Sequence, residues 1–236
     1  MGLDYTCLEA LLYSRKYIEN RKNAVMLGRQ EIHINNNTID RVLDKYFLSN
    51  LKNRNYSGFC EILLKDVFGF ESIDSIDYSN YEGATILHDM NKPFTDDSKK
   101  YDFVLELGTI EHIFNIPQVC ENIINLLNIG GIFLSVTVNN NFSGHGIYQF
   151  SPEFYLSTFS KKYGMEVKEL YIAKVGSGIE RWLNVNNYGT SRNMSRFQGD
   201  ESVYIIAIIK KISNERENLI LNSPNQFSYE QIDWKK

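Results

Sequence analysis

Short apolar segments of strand length alternate with helical segments through most of the chain from residue 72 onward. The pattern predicts strands over 72–77, 84–87, 101–107 and 131–138, with a helix over 117–127 between the last two. Parallel neighbours in a sheet need a crossover connection, which is usually a helix. The alternation therefore predicts an α/β fold in which a mostly parallel sheet carries helices on both faces.

The flanking segments extend this pattern to seven strands. The further strands are predicted over 24–27, 166–173 and 202–210, with a loop containing Gly and Asn between the last two. Further helices are predicted over 3–20, 38–52, 61–68 and 152–162. The helices over 38–52 and 61–68 are inserted between the first and second strands. We therefore expect a doubly wound sheet with additional helices after its first strand.

The composition is that of an ordinary globular protein, with 43% hydrophobic and 23% charged residues among 236. We expect a single domain, with an N-terminal helix in 1–23, the core in 24–211 and a polar tail in 212–236. The formal net charge of −4 disfavours nucleic acid as the main partner. The longest apolar runs are about strand length and the start of the chain lacks a signal-peptide pattern, so we expect a cytoplasmic protein without a membrane span.

Small or polar residues follow each of the first four predicted strands at its carboxyl end. Open parallel sheets bind ligands at these ends, near the point where the strand order reverses. The residues are Gly28, Arg29 and Gln30 after the first strand, Asp77 and Tyr78 after the second, Asp89 and Met90 after the third, and Gly108, Glu111 and His112 after the fourth. The sequence therefore predicts a ligand site at this edge.

Residues 101–113, followed by 126–131 with Gly130 and Gly131, resemble the fourth strand and the turn before the fifth strand in class I S-adenosylmethionine-dependent methyltransferases. In that family a Glu-His pair, here Glu111 and His112, ends the loop after the fourth strand. The resemblance covers 24–210 and is most specific over 77–131. It points to bacterial enzymes of the small-molecule or sugar-precursor type.

The resemblance implies a Rossmann-like sheet whose last strand is antiparallel, and S-adenosylmethionine as the cofactor. Asp77 is similar to the acidic residue that binds the ribose hydroxyls, and Asp89 with Met90 to the pair that holds the adenine. The candidate cofactor-binding residues are Gly28, Arg29, Gln30, Asp77, Tyr78, Asp89, Met90, Leu107, Gly108 and Glu111.

The first turn departs from the family pattern, because Gly28 stands where a glycine-rich GxGxG is usual. The side chain of Arg29 is a candidate for binding the methionine carboxylate in place of some backbone contacts, and a solvated surface charge is the alternative interpretation, which we favour. A nicotinamide-dependent oxidoreductase is one alternative, but a dinucleotide pyrophosphate requires GxGxxG at a helix start, and no strand end here has it. A methyltransferase-like binding subunit without catalysis is another.

The segment 139–150 is rich in asparagine and glycine and follows the predicted fifth strand. Related methyltransferases use this loop for the acceptor, which implies that the substrate site lies here. The polar composition of the loop suits a small polar acceptor, such as a sugar or surface-polysaccharide precursor. The substrate-binding candidates are Asn140, Asn141, Phe142, Tyr148 and Gln149. Imidazole titrates near neutral pH, so we expect His145 to be the base that takes the acceptor's proton, with His112 as the second candidate. The competing interpretation is a plain asparagine-rich connection.

No metal site is expected from the sequence, because neither His33 nor His88 has a second metal-ligating residue at ligand spacing. The three cysteines, Cys7, Cys60 and Cys120, lack CxxC spacing and are predicted to be reduced thiols. The expected partner is the small-molecule acceptor, and a homodimer is compatible with the sequence.

Overall fold

The computed structural model describes residues 2–20, 22–185 and 199–227. Its helices are α1 (Tyr5–Ser14), α2 (Asn36–Lys45), α3 (Glu61–Phe68), α4 (Ile116–Leu126) and α5 (Pro152–Thr158). Its strands are β1 (Asn23–Leu27), β2 (Ser72–Asp77), β3 (Ile86–Leu87), β4 (Tyr101–Leu107), β5 (Leu127–Asn140), β6 (Met165–Lys174), β7 (Leu183–Asn184) and β8 (Val203–Lys211).

The strands form one sheet in the order β3-β2-β1-β4-β5-β8-β6-β7. The pairs from β3 through β5 are parallel, and β8 runs antiparallel between β5 and β6. The prediction of a mostly parallel α/β sheet with an antiparallel last strand is therefore confirmed.

The predicted number of seven strands is wrong, because the described residues form eight. The additional strand, β7, pairs antiparallel with β6 at the edge of the sheet. It lies in the segment between the last two predicted strands, where the pattern indicates a loop. Two residues are too few to show the alternation by which strands are recognised in a sequence.

Several predicted helices are shorter in the structure, and the helix predicted over 38–52 shows a physical reason. It begins after Asn35, whose side chain caps the backbone N–H of Thr38 at 2.9 Å, and it ends at Lys45. Phe47 then has a left-handed φ of 59°, which an α-helix does not contain. The chain continues as a 3-10 turn at Ser49–Leu51.

The helices predicted over 3–20 and 152–162 also end early, at Ser14 and Thr158. In both cases a short 3-10 turn follows, at Arg15–Tyr17 and Lys161–Tyr163. Such turns keep nearly helical side-chain spacing, so the sequence pattern continues beyond the α-helix itself.

Two clusters of buried apolar residues lie on the two faces of the sheet. One packs α1, α2 and α3 against alternate residues of the strands, and the other packs α4 and α5 against the residues between them. In the first cluster, Phe103 of β4 stacks on Phe68 and Phe70, with ring centroids 5.6 and 5.7 Å apart. Within the described residues, no helix is long and apolar enough to cross a membrane.

The three cysteines are buried free thiols, as predicted. Burial raises the pKa of Cys60 and Cys120, so both thiols stay protonated at neutral pH.

The beginning of the predicted tail packs on the rest of the protein. Leu219 is buried, and Arg216 forms an ion pair with Glu121 of α4. The backbone N–H of Phe227 donates to Ser157 at 2.9 Å. Residues 228–236 of the tail lie outside the described residues.

Phe103→Ala should lower the free energy of unfolding by about 3 to 5 kcal/mol, because it removes a fully buried ring from a stack of three. Phe114→Ala is the matched control, since Phe114 is 71% exposed, and it should change stability by less than about 0.5 kcal/mol. Urea unfolding measures both variants. Equal small effects would contradict the packing described.

Candidate functional site

A cleft of about 440 Å³ lies at the carboxyl ends of β1, β2 and β4, where the strand order reverses. The lining residues are Leu27, Gly28, Arg29, Gln30, Glu31, His33, Ile76, Asp77, Tyr78, Glu82, His88, Asp89, Met90, Asn91, Gly108, Thr109, His112 and Ile113. Most of the predicted cofactor residues are therefore brought together in one place. It is the place where sheets of this topology bind ligands.

The turns after β1 and β4 approach each other closely at Gly28. This residue has a φ of 69°, and a Cβ added to it would lie 2.8 Å from Oγ1 of Thr109. Thr109 Oγ1 in turn donates to the carbonyl of Leu27 at 2.8 Å. Glycine is thus required here by both backbone conformation and space.

Gln30 presents a buried acceptor atom in the cleft wall. Its Nε2 donates to the carbonyl of Leu27 at 2.6 Å and to Oγ1 of Thr109 at 3.1 Å, which orients the amide. Its Oε1 is buried and has no hydrogen-bond partner among the described residues. A buried acceptor without a donor costs free energy, so this atom suits a donor group on a ligand.

Asp77 and Asp89 stand at neighbouring strand ends, as predicted, and each caps its own turn. Asp77 Oδ1 accepts from the backbone N–H of Ser79 at 3.0 Å, and within the described part of the chain no hydrogen bond reaches Asp77 Oδ2. Asp89 Oδ1 accepts from both the side chain and the backbone of Asn91. These two hydrogen bonds lower the pKa of Asp89.

The guanidinium of Arg29 is already engaged within the protein. Its Nε donates to Glu61 Oε1 at 2.7 Å, and its Nη1 donates to the carbonyl of Glu82 at 2.7 Å. It also stacks over the ring of Phe59, 4.1 Å from the centroid. The positive charge of Arg29, a candidate for binding the methionine carboxylate, is thus balanced by Glu61.

Leu107 and Glu111, which are also cofactor candidates from the sequence, do not line the cleft. Leu107 is fully buried in the cluster formed with α1, α2 and α3. Glu111 is fully buried, and its Oε2 accepts from Thr137 at 2.8 Å. Between them, Gly108 has a φ of 84° and forms part of the cleft wall.

The buried carboxyl group of Glu106 organises the turn after β4. Its Oε1 accepts from the backbone N–H groups of Gly108 and Thr109, both at 2.6 Å, and its Oε2 lies 2.6 Å from the hydroxyl of Ser135. Burial and then the charge of Glu111 raise the pKa of Glu106 to about 8. The side chain holds the segment that leads into Glu111 and His112.

The two histidines predicted for catalysis meet at the end of this segment. Their rings pack edge to face with centroids 4.9 Å apart, and His145 Nε2 lies 3.7 Å from Glu111 Oε1. His112 lines the cleft, whereas His145 lies beside Glu111 with its side chain 36% exposed. Partial burial lowers the pKa of His112, so its imidazole is neutral at physiological pH.

The predicted acceptor-binding residues hold their loop against neighbouring segments. The side chain of Asn141 donates to the backbone carbonyls of Gly199 and Glu201, in the segment before β8, and the ring of Phe142 stacks on Tyr204 of β8. The hydroxyl of Tyr148 donates to a backbone carbonyl, and Gln149 accepts from the backbone N–H of Phe142. Asn140 ends β5. The loop thereby has a defined path beside His145.

The cleft is also lined by residues outside the predicted candidates, among them Glu31, His33 and Ile113. The first two are placed by the N-terminus, because the backbone N–H of Leu3 donates to the carbonyl of Glu31 at 2.7 Å and that of His33 donates to the carbonyl of Leu3 at 3.0 Å. This pairing surrounds an isolated bridge between Leu3 and Ile32, and no periodicity in the sequence shows it.

Several solved structures are similar to this one. A protein assigned as a sarcosine dimethylglycine methyltransferase from Galdieria sulphuraria aligns with a TM-score of 0.50 at 12% identity, over 87% of this chain and 84% of that one. TehB from Haemophilus influenzae aligns with a TM-score of 0.46 at 13% identity, over 86% of this chain and 62% of that one. The O-methyltransferase of a trans-AT PKS multienzyme of Brevibacillus brevis, in complex with S-adenosyl-L-homocysteine, aligns with a TM-score of 0.48 at 13% identity, over 87% of this chain and 71% of that one.

No protein-family profile and no curated protein matches the sequence. The structural likeness nevertheless shows that this protein shares the fold of the methyltransferase-assigned chain from Galdieria sulphuraria, and a fold of this kind is what the resemblance in residues 101–131 implies.

Gly146→Ala should destabilise the protein more than Gly144→Ala, although both glycines have a positive φ, 74° and 85°. A Cβ at Gly146 would lie 2.9 Å from the carbonyl oxygen of Glu111, whereas a Cβ at Gly144 would meet nothing within 4 Å. The backbone cost of about 1 kcal/mol is common to both, so thermal unfolding should show about 1 kcal/mol or more of additional loss for Gly146→Ala. Equal losses would mean that the loop does not pack on Glu111.

Because of Glu106, the free energy of unfolding of the wild type should fall as the pH rises from about 4.5 to about 8. The reason is that the folded state holds a proton on Glu106 that the unfolded state has released over this range. The unfolding is measured with EDTA in the buffer. The total change is on the order of a few kcal/mol. Glu106→Gln should flatten this slope, and Glu19→Gln, at a side chain 74% exposed, should leave it unchanged. A slope that persists in Glu106→Gln would contradict the assignment.

Proposed function

We propose that this protein is an S-adenosylmethionine-dependent methyltransferase that acts on a small polar acceptor. The observation that carries the proposal is the cleft at the strand-order reversal, which unites Gly28, Gln30 and Asp77 on a methyltransferase fold. The finer suggestion, a sugar or surface-polysaccharide precursor, remains a prediction from the resemblance, and a homodimer remains compatible with the sequence.

The cleft residues suit the chemical groups of this cofactor. Asp77 Oδ2 and its strand-end position suit a pair of ribose hydroxyls, and the unpartnered Oε1 of Gln30 suits the ammonium group of the methionine moiety. Met90 is buried in the wall and offers an apolar surface for a base. When bound, the cofactor supplies a methyl group on a positively charged sulfur.

The acceptor side of the site is assigned to His112 and His145. His112 lines the cleft and its lowered pKa keeps it neutral, so it is able to accept a proton. His145 stands beside it, in the loop that also carries Phe142 and Tyr148. In this proposal the chain's task is to align the acceptor and to provide an outlet for its proton.

Titration calorimetry with S-adenosylhomocysteine tests the proposal before any acceptor is known. The wild type should bind, and Asp77→Ala should weaken binding by about 1.5 to 3 kcal/mol through the loss of charge-assisted hydrogen bonds. Asp97→Ala is the matched control, because the Asp97 side chain is 96% exposed and does not line the cleft. No binding by the folded wild type would overturn the proposal, and tight binding of NAD would favour the oxidoreductase alternative.

His145→Ala should leave the affinity for S-adenosylhomocysteine nearly unchanged, since His145 does not line the cleft. Once an acceptor is known, the same substitution should reduce turnover by about 10²- to 10⁴-fold, the range for losing a proton acceptor. Full activity of His145→Ala would contradict the role of His145 as proton acceptor and make His112 the next candidate. Loss of cofactor binding would instead place the loop in the cofactor site.

A further inference from the structure

Three side chains with metal-ligating atoms converge at the end of the segment after β4. One carboxylate oxygen of Glu111 and one ring nitrogen each of His112 and His145 lie within 4.8 Å of one another. Donor atoms around a tetrahedral ion with bonds of about 2.0 to 2.1 Å are about 3.3 Å apart, so the separations in this trio exceed ligand spacing by at most about 1.5 Å. Glu111 Oε1 and His145 Nε2 are already 3.7 Å apart.

The two atoms that face each other have nothing else to bind. Glu111 Oε1 and His145 Nε2 are both buried and lack hydrogen-bond partners among the described residues. Glu111 itself is fully buried. Its other oxygen is held by Thr137, which fixes the plane of the carboxylate and leaves Oε1 directed at the histidine. Native proteins rarely leave a buried carboxylate oxygen without a partner.

The fold builds this arrangement from both sides. Glu106 holds the turn that leads to Glu111 and His112, because its carboxyl group accepts hydrogen bonds from the backbone N–H groups of that turn. The loop after β5 is tied to the same turn, because the backbone N–H of Ile147 donates to the carbonyl of Glu111 at 2.7 Å. The close approach at Gly146 then sets His145 against Glu111.

The charge of the region favours a cation. Glu111 is fully buried, and no lysine or arginine of the described ranges forms an ion pair with it. A bound dication would offset a buried carboxylate charge that the protein itself leaves unbalanced.

We infer that Glu111, His112 and His145 bind a divalent transition-metal ion of the zinc and cobalt type. Two imidazoles and one carboxylate are a donor set for such ions, whereas Mg²⁺ prefers six oxygen ligands. The expectation of no metal rested on His33 and His88, and the sequence does not reveal a trio assembled from two separate loops. His145 is partly exposed, which leaves a route for the ion.

Three protein ligands leave a coordination position free, and His112 places the centre at the cleft wall. Resting on the proposed function, this position takes an oxygen of the acceptor, which makes a hydroxyl compound the favoured substrate class. Coordination lowers the pKa of that hydroxyl, and its proton leaves to water. In the metal-bound protein the two histidines therefore act as ligands and not as bases.

The test is a Co²⁺ titration of the full chain after dialysis against EDTA. We expect one equivalent to bind with visible d–d absorption, to be displaced by Zn²⁺ and to be unaffected by excess Mg²⁺. Acetohydroxamate, an oxygen donor, should change that absorption, and an unchanged spectrum would overturn the open coordination position. Absence of stoichiometric binding to the folded wild type would overturn the whole inference.

Glu111→Gln and His145→Gln should each weaken Co²⁺ binding by at least about 100-fold. His88→Gln is the control for metal affinity, because His88 contacts the carbonyl of Lys92 and belongs to no such cluster in the described part of the chain. Circular dichroism checks that the variants fold. Equal affinity in all three variants would overturn the assignment.

NMR of the imidazole nitrogens in the wild type provides a measurement that does not depend on the variants. Zn²⁺ should shift the signals of His112 and His145 and leave those of His33 and His88 in place, and the reverse pattern would overturn the site. A parallel titration of the metal-free protein with S-adenosylhomocysteine separates the two proposals. Cofactor binding without metal binding would contradict only the metal-site inference. Metal binding without cofactor binding would contradict only the proposed methyltransferase function.

Discussion

One buried carboxyl group, that of Glu106, organises the part of this protein on which the candidate site depends. It lies near the end of an otherwise largely apolar strand and accepts hydrogen bonds from the backbone N–H groups of the next turn. A hydrogen bond from Ser135 links it to the neighbouring strand β5. Without such an acceptor, this buried turn would leave unpaired donors inside the protein. The turn can therefore leave the sheet sharply, with Gly108 and Thr109 toward the cleft and Glu111 directed into the interior.

That turn separates two kinds of surface at the carboxyl edge of the sheet. On one side, the ends of β1 and β2 contribute Gly28, Gln30 and Asp77 to a polar cleft. On the other side, the loop after β5 packs His145 against Glu111. A ligand group in the cleft and a reacting partner near the histidines would thus approach each other across His112, which belongs to both surfaces.

The sheet could be predicted from the sequence because its strands are short apolar runs bounded by polar residues, as in 101–107, whose bounds match the structure. Strand-end residues such as Asp77 followed directly from that sheet. Three other features could not be predicted, because each depends on the path of a loop. They are the pairing of β7 with β6, the bridge between Leu3 and Ile32, and the contact between Glu111 and His145. The burial of Glu111 shows the same limit, since a Glu-His pair in a sequence does not reveal which side chain turns inward.

The cleft at the reversal of strand order is the proposed cofactor site, and a crystal structure of the protein with S-adenosylhomocysteine tests this assignment most directly. We predict density for the ribose beside Asp77, with the amino group of the ligand within hydrogen-bonding distance of Gln30 Oε1. Density for the ligand elsewhere on the protein, with Gln30 and Asp77 uncontacted, would contradict the assignment.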